Sequence, residues 1–360
     1  MNKYLILISI FIYSYSFGQQ DGCFKETTGN ELMFETSTDF TQYDAFFVGE
    51  FHGVHGIGGL NLALIKYVNQ HCGVTNVFME FSYSAAWLYN AYLATGDTTL
   101  FTDPLLLTAS RQVNRDFWKK LYEYNKGLEH KITIRGMDFE RIEFLKVLRM
   151  LKPENKDKPV VIATTINYLD TLNLRRLERT DDIQDSVYKA VRREMSNHKV
   201  EYAWYYGSNY KTVSDIMFNP DEFRKYNSRN TTMYKNMKSQ IEQYHIKKFI
   251  TFNGLQHGDM NQKGILCGNL KIKMGLKNKL ADISFLCKNC YDFNGTWSHP
   301  VGGVHEFEQP FRTGTNFDLL FSGYFNNACK YTFVPTKNLK NKKLRKFSDF
   351  VILMKDEPPF

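Results

Sequence analysis

Apolar residues in this chain gather in short runs that stop abruptly on polar ones. Phe46, Phe47 and Val48 end at Gly49-Glu50, and Val77, Phe78 and Met79 end at Glu80. Runs this short, rich in Val and Phe and closed by glycine or a charge, predict buried strands. Helical spacing over residues 60–71 predicts a helix between them. Strand, polar turn, helix, strand is a βαβ unit, whose parallel strands place their C-terminal ends on one edge. Open α/β sheets gather ligands along that edge. Glu50 and Glu80 are the first polar residues past the two strand ends.

The pattern continues down the chain. Residues 84–95 and 114–127 read as helices, the second with Phe117, Leu121 and Tyr124 spaced by four and three. Residues 131–135 alternate as a strand that lands on Gly136-Met137-Asp138. From 160 to 243 no strand run occurs; charge and helical spacing at 172–178, 183–195 and 231–244 predict an all-helical insertion, about 153–245, over the sheet edge. Strand-like runs return at 248–252, 280–286, 330–334 and 349–354, the first ending at Asn253-Gly254-Leu255-Gln256-His257-Gly258. Residues 21–43 are polar and expected to be irregular, with a short helix or turn at 37–43. No internal repeat or low-complexity linker divides the chain. The expectation is an α/β fold: a parallel-rich sheet with flanking helices, one domain over 21–360 carrying the helical insertion.

Composition narrows the class. With 360 residues and 43% hydrophobic content, the chain has ample core to fold without a metal or a partner. The net charge of +8 owes much to one run, Lys337, Lys340, Lys342, Lys343, Arg345 and Lys346. That local run fits a solvated loop, with weak contact to an anionic envelope surface as its functional reading, and no nucleic-acid partner is expected. Lys3, an apolar segment at 4–13 and Ser16-Phe17-Gly18 predict a secretory signal over residues 1–20, hence a secreted or periplasmic protein. Cys23 lies five residues past Gly18, poorly placed for a lipid anchor. Six cysteines in an exported chain permit disulfides, and Cys287-Lys288-Asn289-Cys290 is best read as a structural disulfide, ahead of a free pair or a metal half-site.

The strand ends collect Glu50, His52, His55, Glu80, Asp138 and His257. Two carboxylates in one partly buried cleft cannot both stay comfortably ionised, and a neighbouring histidine can share the proton. Such a cluster deprotonates water and later protonates a leaving group, which is general acid–base hydrolysis of a small-molecule substrate. Glu50, His52, Glu80 and His257 are the candidate catalytic groups; His55 and Asp138 are candidates for holding substrate. A covalent route lacks a G-x-S-x-G elbow, and a metal route lacks H-E-x-x-H, so no metal and no cofactor is expected.

Five motifs occur in order: Val48-Gly49-Glu50-Phe51-His52-Gly53, Phe78-Met79-Glu80, Arg135-Gly136-Met137-Asp138, Ser228-Arg229-Asn230-Thr231-Thr232-Met233 and Asn253-Gly254-Leu255-Gln256-His257. Together they resemble the erythromycin esterase-like family, within a wider group that includes haem-uptake-associated lipoproteins and Tiki-type proteases. The resemblance spans about residues 43–260. It implies an α/β fold and a cleft where the matched glutamates and histidines face one another. It also implies that His257 or His52 activates water with Glu80 and Glu50 in support, and that Arg229 orients a carboxylate or the substrate. Two positions depart from the esterase pattern. The spacing is Glu50-x-His52 where the esterases show Gly-Glu-x-x-His-Gly, closer to the haem and protease branches, and Asn230 stands where the family carries Asp. The expected function is an exported, metal-independent hydrolase of an ester or lactone. Its rivals are a metal-dependent peptidase-like enzyme with Glu50 and His52 as ligands, and a haem- or ligand-binding module using His52 or His55.

Overall fold

The apolar runs pair side by side. A computed structural model describes residues 21–29, 31–52, 54, 56–102, 112–172, 181–218, 229–258, 264–288, 290–293, 304–307, 321, 324, 329–339 and 342–355. Its strands are β1 (Gly22–Thr27), β2 (Glu31–Thr36), β3 (Ala45–Glu50), β4 (Asn76–Met79), β5 (Thr133–Gly136), β6 (Phe249–Gly254), β7 (Leu280–Lys288), β8 (Cys290–Phe293), β9 (Val304–Phe307), β10 (Tyr331–Pro335) and β11 (Phe350–Lys355). Nine of them form one sheet in the order β2-β1-β10-β11-β7-β3-β6-β4-β5, while β8 and β9 make a separate ribbon. Pairings from β11 through β5 are parallel; those joining β2, β1, β10 and β11 are antiparallel. The parallel-rich α/β expectation holds.

Both faces of the parallel strands are covered, which is why they read as near-continuous apolar runs. On one face Phe46, Val48, Val77, Ile250 and Ile283 pack in a cluster with Leu60 and Leu64 of α1 (Ile57–Cys72) and Leu88 and Tyr89 of α2 (Tyr83–Thr95). On the other, Phe47, Phe78, Phe249 and Leu280 pack with Met233 and Met237 of one helix and Leu266 and Leu270 of another. Phe46 and Phe47 are both fully buried, and each such side chain contributes about 1.5–3 kcal/mol.

Residues 21–43 correct the expectation of irregular chain: they hold the β1–β2 hairpin. Only Gly22, Cys23 and Phe24 of β1 and Phe34 of β2 are buried, so no long apolar run marks them; Phe24 and Phe34 meet only after pairing, with ring centroids 4.4 Å apart. A disulfide joins Cys23 to Cys329 and ties this hairpin to the rest of the sheet, leaving no thiol at Cys23 for a lipid. Cys287 is also disulfide-bonded, and Cys72 and Cys267 are buried free thiols. Within the basic run, Lys342–Phe347 forms a short helix where a plain loop was expected. Between β5 and β6 the described residues form helices: α3 (Glu143–Met150), α4 (Val160–Thr171), α5 (Asp181–Asn197), α6 (Lys199–Tyr206), α7 (Tyr210–Met217) and α8 (Arg229–Gln243). Most of the helix expected at 172–178 lies outside the described residues.

The ends of β4 and β5 are locked to one another. Met137 and Asp138 both donate their backbone N–H to the Phe81 carbonyl at 2.8 Å. This crossing is so close that a Cβ on Gly136 would lie 2.1 Å from the Ser82 carbonyl oxygen. The first turn of α2 is then capped twice. Ser82 Oγ accepts from the Ala85 N–H, and the buried Glu140 carboxyl accepts from the Tyr83 N–H at 2.8 Å, the Ser84 N–H at 3.4 Å and the Ser84 hydroxyl at 2.5 Å. Burial pushes the Glu140 acid up to about 8, against the pull of the Ser84 hydrogen bond.

Two outcomes follow from this crossing. Gly136→Ala is expected to cost about 1–3 kcal/mol or more through overpacking against backbone, read as a lower urea midpoint. Glu140 holds its proton to about pH 8 when folded but releases it near 4.5 when free. The native state therefore binds the extra proton in that window, and stability falls as pH rises across it. Glu140→Gln keeps the shape without titrating, so its stability should change less between pH 5 and pH 8 than that of the wild type, by about one proton's slope. Identical slopes would count against the assignment.

Candidate active site

Glu50, Glu80 and Asp138 reach the same edge because their strands are parallel and in register. Glu50 pairs with Gly254 across β3 and β6, and Met79 pairs with Gly136 across β4 and β5. The residues that follow these strands, Glu80 and Asp138, and the histidine after β6, His257, therefore emerge side by side.

His52 sits between two carboxylates. Its Nδ1 is 3.2 Å from Glu50 Oε1 and its Nε2 3.3 Å from Glu80 Oε2. Asn61 of α1 donates to Glu50 Oε2 at 2.6 Å, fixing that carboxylate from behind. The backbone N–H of Gly254 donates to Glu80 Oε2 at 2.9 Å. The approach is tight: a Cβ at 254 would lie 3.0 Å from His52 Nε2 and would press on that ring. The ring is 58% exposed, and the protein packed around its two nitrogens acts to lower the imidazole's pKa, but hydrogen bonds to Glu50 and Glu80 and their charges outweigh it and push it up to about 10. At neutral pH this ring is an imidazolium clamped by two anions.

Glu80 is the hub. Its Oε1 meets Arg229 Nη2 and lies 3.5 Å from Nε2 of His257, the imidazole beyond the end of β6. Burial presses the Glu80 carboxyl towards protonation, yet His257, His52 and the Arg229 charge hold it well below the usual carboxylate range. Arg229 is anchored in turn. Its Nη2 donates to Asp138 Oδ2 at 2.7 Å and its Nε lies 3.3 Å from both Asp138 oxygens. Burial works against the guanidinium charge, but Asp138 and Glu80 more than offset it. Asp138 is 1% exposed and also accepts from the Phe139 N–H.

His257 is oriented by Asn230. Its Nδ1 is 2.7 Å from Asn230 Oδ1, which also accepts from the Leu266 backbone N–H at 3.1 Å. A backbone N–H can only donate, so the amide atom it faces is oxygen, and His257 Nδ1 must carry a proton to bond that oxygen. Nε2 is thereby turned towards Glu80. The His257 side chain is only 4% exposed, and its Nε2 lies 3.5 Å from Glu80 Oε1 with no hydrogen-bond partner among the described residues.

Glu50, His52, Glu80, Asp138, Arg229 and His257 thus form one continuous network of contacts. His55 lies outside the described residues. Asn61, Glu140 and Gly254 also shape the site without a sequence signal of their own, and the sequence marks Asn230 only as a departure from a family pattern. A cue for Asn230 existed: it follows Arg229 directly, at the start of α8. Among the described residues no group of three or more His, Cys, Asp or Glu is arranged to hold a metal ion. The carboxylate oxygens of Glu80 face Arg229, His52 and the Gly254 N–H.

No family model matches the sequence, and no curated protein matches it. Solved structures do match. A protein from Bacillus cereus shares 14% identity over 88% of this chain and 90% of its own, with a TM-score of 0.51. A succinoglycan biosynthesis protein shares 14% identity over 88% of each chain, with a TM-score of 0.54. An erythromycin esterase mutant in its open conformation shares 12% identity over 88% of this chain and 91% of its own, also with a TM-score of 0.54. At these identities the likeness is one of fold. This chain has the α/β fold of an erythromycin esterase, as the five ordered motifs led one to expect.

Proposed function

We propose that this protein is an exported hydrolase that cleaves an ester or lactone by acid–base catalysis on water. The observation that carries the reading is the placement of His52: an imidazole 58% exposed, held between Glu50 and Glu80 at the sheet edge. Glu50 accepts a proton from water as the water oxygen attacks the carbonyl carbon. The His52 imidazolium steadies the charge developing on the carbonyl oxygen and then protonates the departing alkoxide from Nδ1, the nitrogen that faces Glu50, while Nε2 keeps its proton against Glu80. Glu50 passes its proton to His52 across their 3.2 Å contact, which restores both groups. Glu50 and His52 are the catalytic pair. Glu80 keeps His52 charged, Arg229 and Asp138 fix Glu80 in place, and His257 with Asn230 braces it from within the protein. One fold neighbour, an erythromycin esterase, is itself an ester hydrolase, which supports the reaction class.

Export is supported by the leader-like residues 1–20 and by the Cys23–Cys329 disulfide, since disulfides persist in oxidising compartments. Among the described residues no helix is long and apolar enough to cross a membrane.

Glu50→Gln is expected to lower kcat on a p-nitrophenyl ester by about 10²- to 10⁴-fold while leaving the fold intact. Unchanged turnover would sink the reading. The active form has His52 protonated, so activity persists to high pH and is lost as pH rises through about 10. In Glu80→Gln that alkaline fall should move down towards 6.5, the value of a free imidazole. Profiles of kcat against pH that superpose in both proteins would remove Glu80 from its role.

A further inference from the structure

Charge in the cluster is layered. The anions lie deep: Glu50 is 13% exposed, Glu80 9% and Asp138 1%. The cations lie outward: His52 is 58% exposed, Arg141 50% and Arg229 21%. These three carboxylates and three cations cancel in sum but not in position. Among the described residues of this cluster, the charges nearest solvent are positive.

Arg141 is the outermost of these cations outside the proposed catalytic pair. Among the described residues its guanidinium lies 3.8 Å from Asp138 Oδ2 and sits over the Phe139 ring, 5.2 Å from the centroid. At 3.8 Å the Asp138 contact is an ion pair too long for a hydrogen bond, so the planar fork of N–H donors is not consumed by it. A stacked, half-exposed arginine fork matches the two oxygens of a carboxylate. Contacts run unbroken from His52 through Glu80, Arg229 and Asp138 to Arg141, so the fork and the catalytic pair belong to one network at the strand ends.

We propose that the substrate is an ester that also carries a carboxylate, gripped by Arg141 while the carbonyl lies at His52. The site for the carboxylate stands on charge and geometry alone; the ester half rests on the hydrolase reading above. Neutral and cationic esters would meet the same outward cations with no gain.

Two measurements test this. The first compares mono-p-nitrophenyl succinate with p-nitrophenyl butyrate, which match in length and differ in charge. The wild type should favour the succinate ester by at least about tenfold in kcat/KM, a single charge-assisted bidentate pair being enough for that. Arg141→Gln should shrink this preference mainly by raising KM, and Arg141→Lys should restore part of it. The second titrates succinate into each protein by calorimetry, whether or not either ester is hydrolysed. Succinate bound by the wild type and weakened about tenfold in Arg141→Gln supports the carboxylate site. A wild type that favours the butyrate ester, or succinate binding unaltered in Arg141→Gln, overturns it. If neither ester is cleaved while succinate binding depends on Arg141, the hydrolase reading falls and the carboxylate site stands.

Discussion

A carboxylate as enclosed as Glu80 is tolerated only when cations and N–H donors surround it, because an unpaired buried charge costs several kcal/mol. The surrounding groups come from different parts of the chain: His52 after β3, Gly254 at the end of β6, His257 beyond it, and Arg229 at the start of α8. Folding must therefore deliver all of them together. Once it has, the Glu80 charge is fixed, and that fixed charge governs the protonation of His52. Structure and proposed chemistry meet in a single electrostatic requirement.

The helical segment between β5 and β6 takes part in that requirement. Its last helix, α8, begins with Arg229 and Asn230, and the two adjacent residues serve different partners. One bridges Glu80 and Asp138, while the other fixes the ring of His257. Met233 and Met237, one and two turns further along, pack against the sheet and set the height of that first turn. A shift of α8 along its axis would move the cation and the amide at once, so packing of this helix and order in the cluster are one property.

The parallel strands and the groups at their ends were legible because a strand buried on both faces is mostly apolar, and the glycines and polar residues that follow mark its end. Glu50, Glu80 and His257 were found that way. The β1–β2 hairpin was not, because its few buried residues, Phe24 and Phe34 among them, stand beside charged neighbours and show their purpose only when paired. Glu140 looks like any acid ahead of a helix; its enclosure depends on Ser84, far away in sequence. The division between a ring open to solvent, His52, and one sealed inside, His257, is likewise written in tertiary contacts, since both histidines stand beside glycines at strand ends.

The placement of β1 has a consequence for how the molecule is made. Its ladder partner is β10, and the cysteines that join this region stand 306 residues apart. The central strand β3 likewise lies between β6 and β7, both from the far half of the sequence. β1 can pair with β2 at once, but its ladder with β10 and both ladders of β3 must wait until most of the polypeptide has been synthesised, so assembly is dominated by distant pairings and is slow. Under the proposed export, a chain built in this order stays open long enough to be threaded through a secretion channel, and closes its sheet only on the far side.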